Sequence, residues 1–309
     1  MSMEDGITLV PEGCIPSHGS RLCKGVTMST LNDRDIAEIA RINESKKQPV
    51  LFIHGLWMLP SSWHKWQTYF EAQGYATLSI RWPGDTENVA DARQSPQSFA
   101  GHSVTEITNR IAQIISMLDM KPILIGHSFG GLIAQKLAGD GLSRCTIAVD
   151  PAPFKGVLPL PLSVLRAFLP VLLKPANRAR AVSLTSRQFR YGFGNALSEK
   201  ESDALYQEHA VPTPGKPLFE AAFANVNPRS GTKVDLRNPM RGPLLIISGE
   251  FDHVVPKALT SAAFKLQGRN ESKTEFIEVP GRGHSLVIDS GWKEVADFAL
   301  KFISENLSV

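Results

Sequence analysis

Residues 122–138 read PILIGHSFGGLIAQKLA, and this stretch carries the clearest structural signal in the chain. The apolar run that ends at Ile125 predicts a buried strand, and the pattern from Leu132 to Ala138 predicts a helix. Between them, residues 126–130 match the G-x-S-x-G turn, in which a serine lies on a sharp strand-to-helix bend with its hydroxyl exposed. Side chains at Gly126 and Gly130 would crowd that bend. The stretch therefore predicts Ser128 as a nucleophile.

Apolar runs alternate with helical patterns on both sides of this turn. Such alternation is typical of an α/β fold with a mostly parallel, doubly wound sheet that is covered by helices on both faces. The predicted strands are residues 50–53, 76–80, 122–125, 146–149, 244–247 and 275–279. The predicted helices of this core, besides 132–138, are residues 63–73, 102–118, 257–266 and 292–303.

The alternation stops in the middle of the chain. Residues 154–238 contain apolar helical pieces broken by proline, at 162–173 and 198–209, and a predicted loop at 212–217. A segment of this length far exceeds the roughly 4 to 6 residues of an ordinary connection between secondary-structure elements. We therefore predict a helical cap at residues 154–238, inserted into a core formed by residues 49–153 and 239–309. Residues 1–48 are an amino-terminal extension, in which Asn32 could cap a helix from Asp33 to Asn43.

Two further residues complete a possible proton-transfer system. A serine hydroxyl is a poor nucleophile until a base takes its proton, and the base needs a third group to orient it. Asp252 follows one predicted strand, and His284 follows the last strand in a glycine-rich turn. Because the carboxyl ends of parallel strands lie at one edge of the sheet, we expect Ser128, Asp252 and His284 to converge there.

At this point the chain resembles the α/β-hydrolase superfamily, and in particular its serine esterase and lipase-like members with a helical cap. The resemblance covers residues 49–307. It rests on four motifs: His-Gly-Leu-Trp at 54–57, Gly-His-Ser-Phe-Gly at 126–130, Gly-Glu-Phe-Asp-His at 249–253 and Gly-Arg-Gly-His-Ser at 281–285.

The resemblance implies the α/β-hydrolase fold and a role for each motif. It implies Ser128 as the nucleophile, His284 as the general acid and base, and Asp252 as the acid that orients the histidine. The backbone N–H groups of Leu56 and Phe129 would form an oxyanion hole.

Some choices remain open in the sequence. Asp150 also ends a strand, and some relatives take their acid from that position, so Asp150 is the alternative to Asp252. We expect Trp57 and His127 to border the substrate pocket, His127 as a support rather than a proton carrier. Residues 81–85, Arg-Trp-Pro-Gly-Asp, depart from the glycine-serine turn of many relatives, which leaves the shape of one side of the pocket open.

Composition excludes several other classes of protein. The chain has 309 residues with 33 Lys plus Arg against 30 Asp plus Glu, a balance that argues against a nucleic-acid binder. The most apolar stretch, residues 157–173, is too short for a membrane span. No zinc-type or dinucleotide-type motif is present, so neither a metal nor a cofactor is implied. The three cysteines are expected to be reduced thiols, and no signal peptide is visible at residues 1–10, so we expect a cytoplasmic protein.

The predicted function is that of a serine carboxylester hydrolase, similar to an esterase or lactonase, that acts on a small hydrophobic ester through an acyl-enzyme on Ser128. Two alternatives stay open. One is a non-hydrolytic enzyme on the same scaffold, such as a cyanohydrin lyase or a cofactor-free perhydrolase. The other is a small-molecule receptor that retains the three residues.

Overall fold

The computed structural model describes residues 31–307. The predictions that concern Cys14, Cys23 and the amino-terminal ten residues lie outside the described residues. The strands are β1 Pro49–Ile53, β2 Ala76–Ile80, β3 Ile123–His127, β4 Cys145–Val149, β5 Ala181–Val182, β6 Thr213–Pro214, β7 Leu244–Gly249 and β8 Thr274–Val279. The helices are α1 Asp33–Ser45, α2 His64–Ala72, α3 Val89–Gln94, α4 Val104–Ser116, α5 Phe129–Gly139, α6 Leu162–Leu172, α7 Ser186–Gly192, α8 Glu199–His209, α9 Lys216–Ala222, α10 Lys257–Gln267 and α11 Trp292–Asn306.

Six strands form a parallel sheet in the order β2-β1-β3-β4-β7-β8. The chain moves outward from β1 to β2, and then returns to the other side of β1 to place β3. This reversal creates a topological switch point between β1 and β3, where open α/β sheets bind their ligands. The predicted fold class is confirmed, and Ser128 directly follows β3 at that point.

The central strands are buried along their whole length. Every residue of β1, β3, β4 and β7 is buried. Strands covered on both faces show this continuous apolar pattern rather than an alternating one. An aromatic cluster of Phe52, Trp63, Trp66 and Phe70 fills the space beside β1, with ring centroids 5.0–6.2 Å from Phe52.

The helix predicted from Asn32 is present as α1. Asn32 accepts a hydrogen bond from the N–H of Asp35, and the Asp35 side chain accepts one from the N–H of Asn32, which is a capping box. Ile39 and Ile42 are buried, and Arg41 donates to the carbonyl of Thr77 in β2. The part of the predicted extension that follows residue 30 therefore packs on the sheet.

Between β4 and β7, where the sequence predicts a helical cap, the structure contains more than helices. Helices α6 and α8 match the two predicted pieces within about one residue. The two-stranded antiparallel ribbon of β5 and β6 departs from the all-helical expectation. Helices α7 and α9 agree with a helical segment but were not predicted individually. The predicted loop at 212–217 contains β6 and the start of α9. Pro217 lies in the first turn of α9, where a missing N–H costs nothing, so proline there marks a helix start and not a loop. The exact cap boundaries stay a prediction.

No helix within residues 31–307 combines the length and the apolar character needed to cross a bilayer. Cys145 is free and buried in β4, and burial raises the pKa of its thiol to about 12.

Candidate active site

The bend between β3 and α5 holds Ser128 in a strained backbone conformation. Its φ is 54° and its ψ is −120°. The N–H of Ser128 donates to the carbonyl of Val149 at 2.9 Å, and its carbonyl accepts from the N–H of Ala152 at 2.9 Å. These bonds to the end of β4 and the segment after it fix the strained residue. A Cβ on Gly130 would lie 2.0 Å from the carbonyl oxygen of Ile53, so α5 can approach β1 this closely only with glycine there.

Asp252 and His284 form a buried pair. Nδ1 of His284 lies 2.6 Å from Oδ2 of Asp252, and both side chains have essentially no exposed surface. The other carboxylate oxygen, Oδ1, accepts hydrogen bonds from the N–H groups of Val254 at 2.6 Å and Val255 at 2.8 Å. Because a carboxylate only accepts, Nδ1 of His284 carries the proton and Nε2 presents its lone pair.

The imidazole of His284 lies beside the bend. The ring centroids of His127 and His284 are 4.7 Å apart, and Nε2–H of His127 donates to the carbonyl oxygen of His284 at 2.9 Å. Burial, and then the neighbouring His284, lower the pKa of His127 well below its usual value, so His127 is neutral. His127 thus joins the Ser128 bend to the His284 turn.

Nε2 of His284, the predicted acceptor of the serine proton, is buried and has no hydrogen-bond partner among the described residues. Hydrogen bonds of this kind are often long in free enzymes and tighten when a substrate binds. The arrangement offers a hydroxyl and an unpaired imidazole nitrogen on adjoining turns.

Asp150 lies at the end of β4 with φ 42° and is fully buried. Its Oδ1 accepts the N–H of Gly249 at 2.8 Å, whereas Oδ2 has no donor among the described residues. Burial, and then the charge of Asp252, raise the pKa of Asp150 well above its usual value. The structure therefore brings both candidate acids to this site, but the hydrogen bond to His284 comes from Asp252.

One group in the described part of the chain could hold a cation. His127, Asp150 and His284 each offer a ligand atom, and these atoms lie within 4.8 Å of one another. A metal ligand must be deprotonated, and the raised pKa of Asp150 opposes that.

The two backbone donors of the predicted oxyanion hole follow neighbouring strands, β1 and β3. Leu56 follows β1, and its N–H makes no hydrogen bond to another described residue. Phe129 is the first residue of α5, and the N–H groups of a first turn have no acceptor within their helix. These are the two donors that the resemblance implies for an oxyanion hole.

A contact that the sequence analysis missed, between His54 and Asp85, lies beside Leu56. His54 contacts the carbonyl of Gly55 through Nδ1 at 2.8 Å and Asp85 through Nε2 at 2.9 Å. Asp85 also accepts the N–H of Trp82 at 2.7 Å, and the Trp82 ring stacks on His54 with centroids 4.5 Å apart. The unusual sequence at residues 81–85 thus holds the turn after β1. In the sequence, only the position of residues 81–85 directly after a predicted strand could have indicated this contact with the turn after β1.

A cavity of about 180 Å³ lies above Ser128. Apart from Ser128 and Asn225 its walls are apolar, and they include Phe129, Val157, Leu158, Leu160, Val164, Leu165, Phe168, Leu172, Leu218, Val254, Val255 and Leu259. A larger cleft of about 350 Å³ lies at the β2 edge, but its lining is mainly charged and polar and includes none of the predicted site residues.

Trp57 and His127 do not line this cavity. Trp57 is buried, and its backbone has a positive φ of 63°. Its Nε1–H donates to the carbonyl of Val182 at 3.1 Å. Its ring stacks on Phe168, with centroids 6.2 Å apart. Trp57 therefore reaches the pocket through Phe168 and ties the turn after β1 to the segment at residues 154–238. Trp63, Trp66 and Trp82 are buried.

Known proteins resemble this chain in fold and in sequence pattern. A monoacylglycerol lipase from Paleococcus ferrophilus is 20% identical and superimposes with a TM-score of 0.57 over 84% of this chain and 95% of its own. A putative non-heme bromoperoxidase, BpoC, from Mycobacterium tuberculosis is 18% identical, with a TM-score of 0.60 over 84% and 93%. An extracellular α/β-hydrolase from a Paenibacillus species is 19% identical, with a TM-score of 0.59 over 82% and 98%. At these identities the likeness shows the fold. The sequence model of the alpha/beta hydrolase family matches residues 50–298, and the chain therefore belongs to that family.

Proposed function

We propose that this protein is a serine hydrolase of carboxylic esters or lactones that works through an acyl-enzyme on Ser128. The observation that carries the proposal is the position of Ser128 on a strained bend beneath an apolar cavity, next to a buried His284–Asp252 pair whose Nε2 is free. The lipase among the structural neighbours supports ester hydrolysis in general.

The first half of the reaction forms the acyl-enzyme. Oγ of Ser128 attacks the carbonyl carbon of the ester, and Nε2 of His284 takes the hydroxyl proton. The carbonyl oxygen becomes an anion, which the N–H groups of Leu56 and Phe129 stabilise. Loss of one such donor typically lowers the rate by about 10² to 10³. The bond to the leaving alcohol then breaks, and the alcohol departs with the proton from His284.

The second half returns the enzyme to its starting state. Nε2 of His284 takes a proton from water, and the resulting hydroxide attacks the acyl carbon. When the bond to Oγ breaks, His284 gives the proton back to Ser128. Asp252 holds the imidazole in the required tautomer throughout.

We assign the orienting acid to Asp252 and not to Asp150. The carboxylate of Asp252 accepts hydrogen bonds from three donors, His284 Nδ1–H and two backbone N–H groups. Asp150 has one, and burial, and then the charge of Asp252, raise its pKa, which makes its charged form the less favourable partner for an imidazolium.

The cavity favours a hydrophobic acyl group. Its volume of about 180 Å³ lies below the roughly 300–1,000 Å³ of typical ligand pockets, so it accommodates part of a medium-sized ester. The alcohol portion would extend toward the exposed side chains of Leu158 and Leu160 at the edge of the cavity.

The test is hydrolysis of short and medium p-nitrophenyl esters together with labelling by a fluorophosphonate. We expect the wild type to hydrolyse these esters and to carry one adduct that maps to Ser128 by mass spectrometry. Ser128→Ala should lose both. Ester hydrolysis that survives in Ser128→Ala contradicts the acyl-enzyme.

The same measurements separate the alternatives. A lyase or perhydrolase would show the Ser128 adduct with little hydrolysis, and addition of a cyanohydrin, or of peroxide with an acyl donor, would then give turnover. A receptor would bind ligand tightly without turnover of any of these compounds.

A further inference from the structure

Helix α6 presents apolar side chains both to the cavity and to solvent. Val164, Leu165, Phe168 and Leu172 point into the cavity above Ser128. The solvent-exposed side, next to the cavity-facing side, carries Arg166 together with Leu162, Leu169 and Leu173, which lie at helical spacings of seven and four and are 83%, 44% and 70% exposed. A helix on the surface of a globular protein normally presents polar residues to solvent, so this outer face is unusual.

The apolar surface continues along the segment that leads into α6. Leu158 is 76% exposed and Leu160 is 65% exposed, and both also line the cavity. We call Leu158, Leu160, Leu162, Leu169 and Leu173 the leucine rim. The rim is continuous with the cavity wall, so a molecule that entered the cavity from this side would first cross an exposed apolar surface. Contiguous exposed apolar patches of this kind mark interaction sites.

All charged side chains in the segment that carries the rim are positive. Residues 154–198 contain seven Lys or Arg residues and no Asp or Glu, although the whole chain is nearly neutral. Arg190 pairs with Glu199 and Asp203, and Arg166 lies over the ring of Tyr191.

Three of these cations follow directly after the rim. Lys174, Arg178 and Arg180 lie at the carboxyl end of α6 and in the turn that succeeds it, and all three are exposed. None of them forms an ion pair with a carboxylate of residues 31–307. An exposed apolar face bordered by unpaired cations is the pattern of a segment that lies in the interface of an anionic bilayer.

We propose that the leucine rim and the cations Lys174, Arg178 and Arg180 form a docking surface for an anionic lipid membrane. The leucines enter the boundary between headgroups and acyl chains, and the cations contact the lipid phosphates. Docking removes the rim from water and opens the cavity toward the lipid phase. The consequence for the substrate rests on the proposed function: the ester that reaches Ser128 is one dissolved in the membrane.

The first experiment measures binding without catalysis. The full chain carrying Ser128→Ala is sedimented with vesicles of phosphatidylcholine, and with vesicles in which phosphatidylglycerol replaces part of the phosphatidylcholine. We expect binding to the anionic vesicles that weakens as salt increases, because salt screens the charge attraction. Equal or no binding to both kinds of vesicle overturns the proposal.

Two double variants separate the apolar and the charged contributions. L162S/L173S should lower partitioning onto anionic vesicles at least about tenfold, since burying a leucine is among the strongest apolar contributions. K174E/R178E should lower partitioning onto anionic vesicles by more than about tenfold, because each cation near the membrane surface contributes roughly fivefold. It should also abolish the preference for anionic over neutral lipid. Retained binding in both variants contradicts the proposal.

Matched variants on the core surface serve as controls. M117S/M240S removes two exposed apolar side chains outside residues 154–238, and K46E/K301E reverses two exposed charges there. Both should bind anionic vesicles within about twofold of the parent. A loss in these controls equal to that in the rim variants would show nonspecific attraction and overturn the proposal.

Two further readouts keep the outcomes distinct. In the active background, L162S/L173S should hydrolyse a water-soluble p-nitrophenyl ester as the wild type does, because neither leucine lines the cavity. Loss of vesicle binding with unchanged hydrolysis in solution therefore shows that the rim acts in membrane docking and not in catalysis. Hydrolysis that survives Ser128→Ala would instead contradict the proposed function and leave the docking result unaffected. Sedimentation velocity without lipid tests a second copy as the occupant. A dimer that L162S/L173S dissociates, in the absence of vesicle binding, would assign the rim to self-association and overturn the proposal.

Discussion

The choice between the two buried acids can be tested with a pair of isosteric substitutions, Asp252→Asn and Asp150→Asn. Oδ1 of Asp252 accepts two backbone N–H bonds, from Val254 and Val255. In Asp252→Asn the amide oxygen must occupy that position, since an NH₂ group there would face two donors. The NH₂ group then points at Nδ1 of His284, which must present a lone pair. The proton moves to Nε2, and His284 can no longer accept the proton of Ser128.

The size of the effect follows from this change of tautomer. A comparable substitution in a serine protease lowers kcat by about 10⁴. We expect kcat/KM to fall by about 10³ to 10⁴, equivalent to about 4 to 5.5 kcal/mol of transition-state stabilisation. KM should change little, because Asp252 does not touch the substrate. Asp150→Asn places a neutral group where burial, and then the charge of Asp252, raise the pKa of the acid and so disfavour its charged form, and asparagine tolerates φ 42°. Its activity should remain within about threefold of the wild type.

The assay is the initial rate of p-nitrophenyl ester hydrolysis as a function of substrate concentration and pH, with circular dichroism to verify that both variants are folded. The opposite result would refute the assignment. If Asp150→Asn lost about a thousandfold in kcat/KM and Asp252→Asn stayed within tenfold, the orienting acid would be Asp150, and the 2.6 Å contact between His284 and Asp252 would have no role in proton transfer.

Asp150→Asn should also change how stability depends on pH. The raised native pKa means that Asp150 stabilises the fold only while it is protonated, so the wild type loses roughly 1.4 kcal/mol per pH unit from this group between the unfolded pKa, near 3.8, and the native pKa. In urea titrations the free energy of unfolding of Asp150→Asn relative to the wild type should therefore rise with pH from about pH 4 upward, and a difference that is independent of pH would contradict this. Asp85→Ala removes the 2.9 Å contact to His54 and should lower kcat about tenfold through looser positioning of the turn at Leu56, with KM nearly unchanged. A large rise in KM at constant kcat would argue against that role. Gly130→Ala places a methyl group 2.0 Å from the carbonyl of Ile53 and should destabilise the fold by more than about 3 kcal/mol in thermal or urea unfolding. The control Gly268→Ala, with φ −65° and no contact below 3.4 Å, should change stability by less than about 1 kcal/mol.

The sheet and the Ser128 bend could be predicted because their signals are local. An apolar run, two glycines and a serine at fixed spacing specify the strand, the turn and the helix within about sixteen residues, and the structure has β3 and α5 there. The capping box at Asn32 and Asp35 is local in the same way, and the start of α1 was predictable from it.

The remaining features depend on contacts between distant segments. Ribbon strands β5 and β6 have two residues each and are about thirty residues apart, so no periodicity marks them. The contact of His54 with Asp85 joins turns after two different strands. Trp57 follows the predicted motif, but only the folded chain shows that its indole is used for a hydrogen bond to Val182.

Strands β4 and β7 lie side by side, with Val149 opposite Ile247, although everything from α6 to α9 separates them along the chain. The polypeptide leaves the sheet after β4 and re-enters it at the neighbouring strand β7, so the two ends of the intervening segment are adjacent. The entropy of closing a loop grows only with the logarithm of its length, by about 0.6 kcal/mol for each doubling. The segment between β4 and β7 can therefore become longer or shorter, or be replaced, without altering the register of the strands that Ser128, Asp252 and His284 follow. Substrate range can change while the chemistry stays in place.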